Sequence, residues 1–436
     1  MRTDIRLSID VYRATQQRLK YIFEHFDNIY LSFSGGKDSG ILLETTLQYM
    51  RENNITKKIG VFHQDFEAQY SATTEYVERT LRDNLDLITP YWVCLPMACK
   101  TATSMFEQYW LPWECAKKDI WVRDMPTDEC VINIDNHQFD FYKYGMLQED
   151  VYRQFGGWYH RHVGGKKGKT IGLVGIRTQE SLNRYRAIVA KKSCFNDKPW
   201  TTKIIKDVYT GYPVYDWTAE DVWTANAKFE FDYNNLYDLF HYAGLSVHEM
   251  RVASPFNDWA INSLKLYRVL EPGIWASMIG RVHGANFCAI YGGTSATGWK
   301  KIKLPKGHTW QSYVEFLLKT LPDETAATYR EKFATSIKFW RERGGVLSEE
   351  TITELHGIGI ECVVGGKSNY NSDKKLVTFN AYPDEPDVKE FQSVPSYKRM
   401  AICILKNDHL CKFMGFSQTK VESEKRKAAI AKYKSL

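Results

Sequence analysis

The sequence has no apolar run long enough to cross a membrane, since no stretch of its 436 residues reaches the roughly 18 residues that such a helix needs. The opening residues, MRTDIRLSIDVYR, also lack the apolar core of a secretory signal. Nine cysteines, an odd number, are scattered from Cys94 to Cys411, which argues against a secreted disulfide framework. These absences predict a cytoplasmic protein without a membrane partner.

Internal repeats and long low-complexity tracts are also missing. Hydrophobic residues make up 44% of the chain and aromatic residues 14%, which is typical of folded globular proteins. The net charge of +6 lies mainly in the tail, because residues 397–436 contain ten Lys and Arg against three Asp and Glu. A basic tail indicates either a nucleic-acid or acidic partner or a solvated helix, and the sequence leaves both open.

Short apolar runs alternate with helical periodicity in the first half of the chain. Predicted strands lie at 29–33, 58–63, 91–95 and 170–176, and predicted helices at 11–26, 39–52, 73–81 and 180–192. This alternation predicts βαβ units and an α/β fold with a mostly parallel, doubly wound sheet. Beyond about residue 230 the strand signal fades. We expect three domains: an α/β domain at 1–230, a helical region at 231–345, and a loop with a basic helical C-terminal region at 346–436.

A glycine-rich turn, SFSGGKDSG at residues 32–40, joins the first predicted strand to a predicted helix. It brings together Ser34, Gly35, Gly36, Lys37, Asp38 and Ser39. Backbone N–H groups and the helix dipole converge on an anion at such a turn. The glycines let the backbone approach a phosphate, the lysine adds a charge, and the serines offer hydroxyl groups. The aspartate can hold Mg²⁺ directly or through water.

Two common phosphate-binding spacings are missing from this turn. A Walker A loop needs a glycine five residues before its Gly-Lys pair and Ser or Thr after the lysine, but Asp38 follows the lysine here. The G-x-G-x-x-G spacing is absent as well. A second GGKS at 365–368 has Glu361 where the Walker glycine should be, so we predict a loop there.

SGGKDS is identified as the PP-loop motif of the ATP pyrophosphatase superfamily. The resemblance implies an adenine nucleotide alpha-hydrolase-like fold that binds ATP with Mg²⁺. It also implies cleavage of ATP between the α and β phosphates, which leaves an adenylated product and pyrophosphate. Lys37 and Mg²⁺, with Asp38 as a metal ligand, are then expected to hold the departing pyrophosphate.

GIRTQESLNRYR at 175–186 resembles the Gly-x-Arg-x-x-Glu-Ser motif of the phosphoadenosine phosphosulfate (PAPS) reductase-like branch. Arg177, at a strand end, can bind a phosphate or sulfate through two parallel hydrogen bonds. We expect Glu180 to cap the next helix and Arg184 to lie one turn later on the same face. The segment YPVYDWTAEDVW at 212–223 resembles a second signature of this branch.

Asp65 matches an aspartate of the same branch that contacts adenosine, although the glycine that follows it there is missing. The resemblance therefore predicts Lys37, Asp38 and Arg177 as catalytic residues. The complete predicted nucleotide-binding set is Ser34, Gly35, Gly36, Lys37, Asp38, Ser39, Asp65, Arg177, Glu180 and Arg184.

The chain departs from true PAPS reductases at its C-terminus, where their Glu-Cys-Gly-x-His motif is absent. Thiol-dependent sulfonate reduction is therefore not expected. The segments at 242–256, 275–293 and 405–420 resemble the immunoglobulin-binding regulator A (IbrA) group, whose members are described as co-regulators or phage-defence components with a ParB-like partner. A more distant resemblance is to the ATP pyrophosphatase of DNA phosphorothioation.

Three functions remain open on these residues. The first is an ATP pyrophosphatase that activates a nucleic-acid or partner acceptor, with sulfur transfer as one outcome. The second is an enzyme that binds PAPS or adenylylsulfate at the same loop. The third is a non-catalytic co-regulator whose nucleotide controls binding to DNA or a ParB-like protein. RNA stays open beside DNA as a partner.

Two further groups of residues are candidates for a ligand site. Four cysteines fall within 37 residues: Cys94, Cys99, Cys115 and Cys130. We interpret them as small buried apolar groups rather than an iron–sulfur or zinc site, because no C-x₂-C pair occurs. The basic loop GGKKGKT at 164–170 either contacts a nucleic-acid phosphate near the ATP site or is simply solvated.

Overall fold

The computed structural model describes residues 7–181, 193–247, 249–257, 264–291, 304–365 and 374–416, together with residues 5, 184, 185, 188 and 302. In the first 230 residues the helices are α1 (Val11–His25), α2 (Lys37–Glu52), α3 (Ser71–Arg82), α4 (Gln148–His162) and α5 (Ala219–Phe229). The strands are β1 (Asn28–Ser32), β2 (Ile59–Gln64), β3 (Ile88–Val93), β4 (Cys99–Lys100), β5 (Tyr109–Trp110), β6 (Val131–Ile132), β7 (Thr170–Val174), β8 (Thr201–Ile205) and β9 (Val208–Gly211). Short 3₁₀ helices cover Cys115–Ile120 and Thr178–Glu180.

Within the described residues, seven strands form one sheet in the order β6-β3-β2-β1-β7-β9-β8. All neighbours run parallel except the edge strand β8, which is antiparallel to β9. Every residue of β2 is buried, as expected for a central parallel strand covered on both faces. The predicted α/β fold, with a mostly parallel doubly wound sheet and a helical C-terminal region, is confirmed.

The direction of strand addition reverses at β1. The chain first places β2 and β3 on one side of β1, and then places β7 on the other side. Ligands of doubly wound folds bind at the carboxyl edge of the sheet where this reversal occurs. Since Ser32 pairs with Val174, the turns that follow β1 and β7 leave the sheet side by side.

The same register corrects the expectation for the basic loop at 164–170. Its end leads into the amino end of β7, where Thr170 is paired with Asn28. The SGGKDS turn follows the carboxyl end of β1. A five-residue strand is about 16 Å long, so about that distance separates this turn from the end of the basic loop. The basic loop therefore lies at the opposite edge of the sheet and does not border the predicted nucleotide site.

The later part of the chain contributes mainly helices. They are α6 (Leu236–Tyr242), α7 (Leu264–Leu270), α8 (Pro272–Arg281), α9 (Ala285–Tyr291), α10 (Trp310–Thr320), α11 (Asp323–Glu342), α12 (Glu349–Gly357) and α13 (Tyr397–Leu405), with 3₁₀ turns at Phe391–Ser393 and Lys412–Met414. Three strands, β10 (Gly345–Leu347), β11 (Val363–Val364) and β12 (Lys375–Thr378), form a small antiparallel sheet. Residues 366–373 and the basic end of the tail, 417–436, lie outside the described residues. No helix of the described chain has the length and apolarity of a bilayer span.

The chain forms two compact units. The first comprises Met1–Cys99, Trp110–Pro255 and Leu266–Arg281, and the second comprises Lys100–Tyr109, Phe256–Lys265 and Val282–Leu436. The first unit contains the seven-stranded sheet, and the second contains helices α9–α13 and the small sheet. The boundaries of these units differ from the predicted boundaries at residues 230 and 345. The prediction of three domains concerns which parts of the chain fold independently, and it stays a prediction.

A buried ion pair attaches α1 to the segment before α5. The Arg18 guanidinium donates to both carboxylate oxygens of Asp216 at 2.7 and 2.8 Å, and the two side chains are only 7% and 0% exposed. The indole N–H of Trp217 donates to Thr15 at 2.8 Å. Asp216 and Trp217 of the YPVYDWTAEDVW signature are therefore structural residues.

Replacing Arg18 with alanine should lower the free energy of unfolding by about 3–5 kcal/mol, because the buried Asp216 charge would lose its partner. Lys20→Ala is the matched control on the same helix, since the Lys20–Glu24 pair is 3.9 Å apart and exposed. The control should change stability by less than about 1 kcal/mol. Chemical denaturation of both variants measures the difference, and equal effects would contradict a dominant role for the buried pair.

Glu44 on α2 should make stability depend on pH. Burial, reinforced by the charge of Asp232, raises the pKa of Glu44 to about 7. Between pH 4.5 and 7 the unfolded chain releases this proton while the folded chain keeps it, so stability falls as pH rises. We expect Glu44→Gln to be less pH-sensitive than the natural protein by about 1–3 kcal/mol across this range. Urea denaturation at pH 5 and 7.5 tests this, and parallel pH profiles would contradict it.

Candidate functional site

The SGGKDS turn has the geometry of an anion-binding loop. Gly36 caps α2, which begins at Lys37, so the first N–H groups of the helix point out of the loop. Gly35 has a φ of +74°, and an added Cβ would lie 2.9 Å from the Thr73 methyl group. A side chain is therefore excluded at Gly35 by both its backbone conformation and its surroundings.

The two serines of the turn contact each other. Their hydroxyl oxygens are 2.9 Å apart, and the backbone N–H of Ser34 donates to the Ser39 hydroxyl at 3.1 Å. The Ser39 hydroxyl donates in turn to the Gly36 carbonyl at 3.0 Å. The predicted hydroxyl donors are thus close together, and in this arrangement they hold the shape of the turn.

The aspartate of the turn is held by the arginine of the second motif. Arg177 Nε donates to Asp38 Oδ1 at 2.6 Å, and Nη2 lies 3.4 Å from Oδ2. The Arg177 side chain is 4% exposed, and its Nη1 donates to Gln179 at 3.1 Å. The structure therefore brings together the two motifs that the sequence singled out, across the junction between β1 and β7.

Gly175 sets the distance between these motifs. An added Cβ on Gly175 would lie 2.4 Å from the carbonyl oxygen of Asp38, far inside van der Waals contact. The first residue of the GIRTQES motif is therefore a glycine because the strand end packs directly on the first turn of α2. This close approach is what allows Arg177 to reach Asp38.

Lys37 is buried beside this pair. Its Nζ lies 3.7 Å from Asp38 Oδ2 and donates to the Met250 carbonyl at 3.2 Å. Burial lowers the pKa of Lys37; the Asp38 charge opposes this effect, and the charges of Arg177 and Arg251 add to it. The lysine is therefore surrounded by more positive charge than its single aspartate neutralises.

Glu180 and Arg184 lie on the same side of the site. The Glu180 carboxylate forms an ion pair with Arg184, four residues later in the chain, and accepts the backbone N–H of Arg177 at 3.4 Å. Ser181 between them is extended, and its hydroxyl accepts the backbone N–H of Arg184 at 3.3 Å. Burial lowers the pKa of Arg184, the charge of Asp38 opposes this, and Arg251 and Arg177 lower it further. Part of the helix predicted at 180–192 lies outside the described residues.

Asp65 lies in a different set of contacts. It is completely buried, its Oδ2 accepts the Trp92 indole N–H at 2.9 Å, and its Oδ1 is 2.6 Å from Arg123 Nη2. Burial acts to raise the pKa of Asp65, but Arg123 and the hydrogen bonds hold it below its ordinary value. A contact between Asp65 and adenosine stays a prediction, and it requires Arg123 to release the carboxylate.

Three site residues lie in a stretch that carried no motif. Tyr237 accepts the backbone N–H of Lys37, Met250 accepts the Lys37 ammonium, and Arg251 contributes charge beside Lys37 and Arg184. The only sequence signal for the last two was the family resemblance of the segment at 242–256. Nothing in the sequence placed that segment beside the SGGKDS turn.

The sequence predicts Asp38 as a ligand of Mg²⁺. Among the described residues no group of three or more His, Cys, Asp or Glu side chains is placed to hold a metal ion. The Asp38 carboxylate faces Arg177 and Lys37, and Mg²⁺ is usually held by carboxylates together with substrate phosphates. Direct ligation of Mg²⁺ by Asp38 stays a prediction.

The four clustered cysteines differ in exposure. Cys94 and Cys99 are buried, Cys130 is half-buried and Cys115 is exposed. Burial raises the pKa of the Cys94 thiol well above its ordinary value and that of Cys130 to about 11. Buried protonated thiols pack as small apolar groups, whereas metal ligation needs thiolates.

Comparison with known proteins identifies a full-length relative. The chain is 33% identical over 429 residues to the uncharacterized protein YbdN of Escherichia coli strain K12, a match that covers 97% of this chain and 94% of YbdN. Residues 244–425 match the model of a domain of unknown function, DUF3440.

Solved structures resemble the chain only weakly. A PAPS reductase from Candida auris, in a phosphate complex, has a TM-score of 0.29 and 14% identity, with coverage of 54% of this chain and 94% of the reductase. FMN adenylyltransferase from Candida glabrata has a TM-score of 0.30 and 15% identity, with coverage of 52% and 57%. Similarity at this level supports no inference about this chain.

Gly175→Ala should disturb the site just after the end of β7, because its methyl group would collide with the Asp38 carbonyl. We expect a loss of about 1–3 kcal/mol in the free energy of unfolding, the usual cost of overpacking. Gly280→Ala is the matched control, since an added Cβ there meets nothing within 4 Å and lies in helix α8. The control should be neutral or slightly stabilising in thermal unfolding. Equal melting temperatures for the two variants would contradict the close approach.

Proposed function

The chain belongs to the same protein family as YbdN of Escherichia coli, and from the geometry of its SGGKDS turn we propose that it is a PP-loop ATP pyrophosphatase that adenylates an acceptor. One observation carries this proposal. Two carboxylates, Asp38 and Glu180, lie among four cations at the carboxyl edge of the sheet, where a doubly wound fold binds its ligand: Lys37, Arg177, Arg184 and Arg251.

An excess of partly buried positive charge favours a polyphosphate ligand. Burial and neighbouring cations lower the pKa values of both Lys37 and Arg184, so an anion that entered would relieve repulsion already present in the protein. ATP carries such a charge, and the helix N-terminus adds N–H donors on the same side. An isolated turn without this surrounding charge would support only a weak anion site.

The proposed chemistry follows from this placement. An acceptor oxygen attacks the α-phosphorus of MgATP, the bond from that phosphorus to the bridging oxygen breaks, and pyrophosphate leaves with the bonding electrons. Lys37 and Arg177 are proposed to stabilise the negative charge that grows on the departing pyrophosphate. Arg177 then exchanges some of its hydrogen bonds to Asp38 for bonds to phosphate oxygens, and Asp38 keeps its orientation through the remaining contact.

The acceptor is proposed from family resemblance alone. An IbrA-type role would make it a nucleic acid or a partner protein, with a ParB-like protein as the partner. A role like that of the phosphorothioation pyrophosphatase would add sulfur transfer to DNA, in phage defence. As acceptors these alternatives share the same first step, adenylation, whereas the non-catalytic co-regulator would bind a ParB-like partner without it.

Product analysis tests the reaction. The protein is incubated with MgATP and with DNA, RNA or a candidate partner, and the nucleotides are separated by chromatography. We expect AMP or an adenylated acceptor together with pyrophosphate. Formation of ADP and orthophosphate instead would contradict the proposal. Binding of PAPS more tightly than ATP in calorimetry would favour the sulfonucleotide enzyme, and binding of ATP without turnover would favour the co-regulator.

Lys37→Ala should weaken ATP binding about 10- to 100-fold, the usual range for loss of a charge-assisted hydrogen bond. Arg177→Lys keeps the charge but loses the two-pronged geometry, so we expect a defect nearly as large. Lys20→Ala is the charge-matched control, because its side chain is 68% exposed on α1. Calorimetric affinities should separate the two site variants from the control, and a Lys20→Ala defect of the same size would show that only net charge matters.

A further inference from the structure

The first helical N–H of the SGGKDS turn already has a partner from the chain itself. The backbone N–H of Lys37 donates to the Tyr237 hydroxyl at 2.8 Å, and both residues are buried. The Lys37 ammonium donates to the Met250 carbonyl and lies 5.5 Å from the centre of the Tyr237 ring. Two groups that an ATP phosphate would contact are therefore satisfied by protein oxygens.

Two short segments supply these oxygens, and together we call them the cover: residues 234–237 and 250–252. Asn234 attaches the cover to the turn, because its amide donates to the Gly35 carbonyl and to the Thr73 hydroxyl, both at 2.9 Å. The Tyr237 hydroxyl thus accepts the first N–H of the helix while Asn234 holds the same segment to the turn.

The cover also lies close against Gly36. A methyl carbon added to Gly36 would lie 3.4 Å from the Tyr237 hydroxyl oxygen and 3.6 Å from Val252 Cβ, which is van der Waals contact. Because the N–H of Lys37 donates to the Tyr237 hydroxyl, a phosphate oxygen can accept that N–H only after the hydroxyl has moved away.

We propose that the Tyr237 hydroxyl occupies the position of a phosphate oxygen and that a polyphosphate binds by displacing it. This inference rests on the proposed function, since it concerns regulation of the same anion site. The exchange favours the ligand once it arrives, because a hydrogen bond from N–H to a charged phosphate is about twice as strong as one to a neutral hydroxyl. In the covered state the Tyr237 hydroxyl competes with ATP. Only the open fraction of molecules binds ATP, so the apparent affinity for ATP is reduced in proportion to that fraction.

Burial and the nearby Asp38 charge raise the pKa of Tyr237, so its hydroxyl stays neutral. A neutral hydroxyl is a weaker hydrogen-bond acceptor than a phosphate oxygen. Removal of this oxygen would leave the backbone N–H of Lys37 without its acceptor in the covered state. An unsatisfied buried donor destabilises the covered state. Tyr237→Phe should therefore shift the protein toward the open state while keeping the aromatic ring that packs there.

Calorimetric titration with inorganic pyrophosphate tests the displacement. We expect Tyr237→Phe to bind pyrophosphate at least fivefold more tightly than the natural protein, the factor that corresponds to one ordinary hydrogen bond. Tyr233→Phe is the matched control from the same stretch, because the Tyr233 hydroxyl contacts the Asp238 carboxylate at 3.2 Å. The control should bind as the natural protein does, and thermal unfolding verifies that both variants are folded.

The other outcomes overturn the inference in distinguishable ways. Weaker binding by Tyr237→Phe would make the hydroxyl a phosphate ligand, and unchanged binding would make the cover irrelevant; both leave the proposed function standing. Absence of pyrophosphate and ATP binding in all three proteins would overturn the function and the displacement together. Hydrogen exchange gives an independent readout, since pyrophosphate should speed exchange in α6 of the natural protein, and slower exchange there would contradict displacement.

Discussion

The ion pair between Arg177 and Asp38 is the interaction on which the rest of the candidate site depends. It joins the turn after β1 to the turn after β7, the two strands between which the direction of strand addition reverses. The contact is possible because Gly175 lets the strand end pack directly on the first turn of α2. Any ligand bound at this edge meets both turns at once.

Two further buried carboxylates hold irregular segments to the same region. Glu67 is fully buried with a φ of +64°, and it accepts from Arg281 at 2.9 Å and from the backbone N–H groups of Trp113 and Val122. Asp65, two residues earlier, holds Arg123. Both carboxylates have several donors, which is the condition under which burial of a charge can be tolerated. The end of β2 is thus a structural anchor for these segments.

The site has more cationic than anionic side chains, and it is also covered. In the proposed function these two features are connected, because an excess of positive charge would attract a polyphosphate while a neutral hydroxyl on the helix N-terminus would restrain its binding. Tyr237 and Met250 can occupy the turn without cancelling its charge, since neither carries a negative charge of its own. On this proposal the covered protein keeps its electrostatic attraction for a polyphosphate.

The sequence by itself determined the central fold and the residues at the centre of the candidate site. Glycines, a strand–helix junction and an i,i+4 acidic–basic pair are local patterns, so the SGGKDS turn and the Glu180–Arg184 pair could be predicted without knowledge of tertiary contacts. Only the tertiary structure decided the partners of Asp65, the edge of the sheet reached by the basic loop, and the cover formed by Tyr237 and Met250. These contacts join residues far apart in the chain, as Lys37 and Tyr237 are 200 positions apart. Their positions follow from strand order and register, which residue patterns within a single segment do not encode.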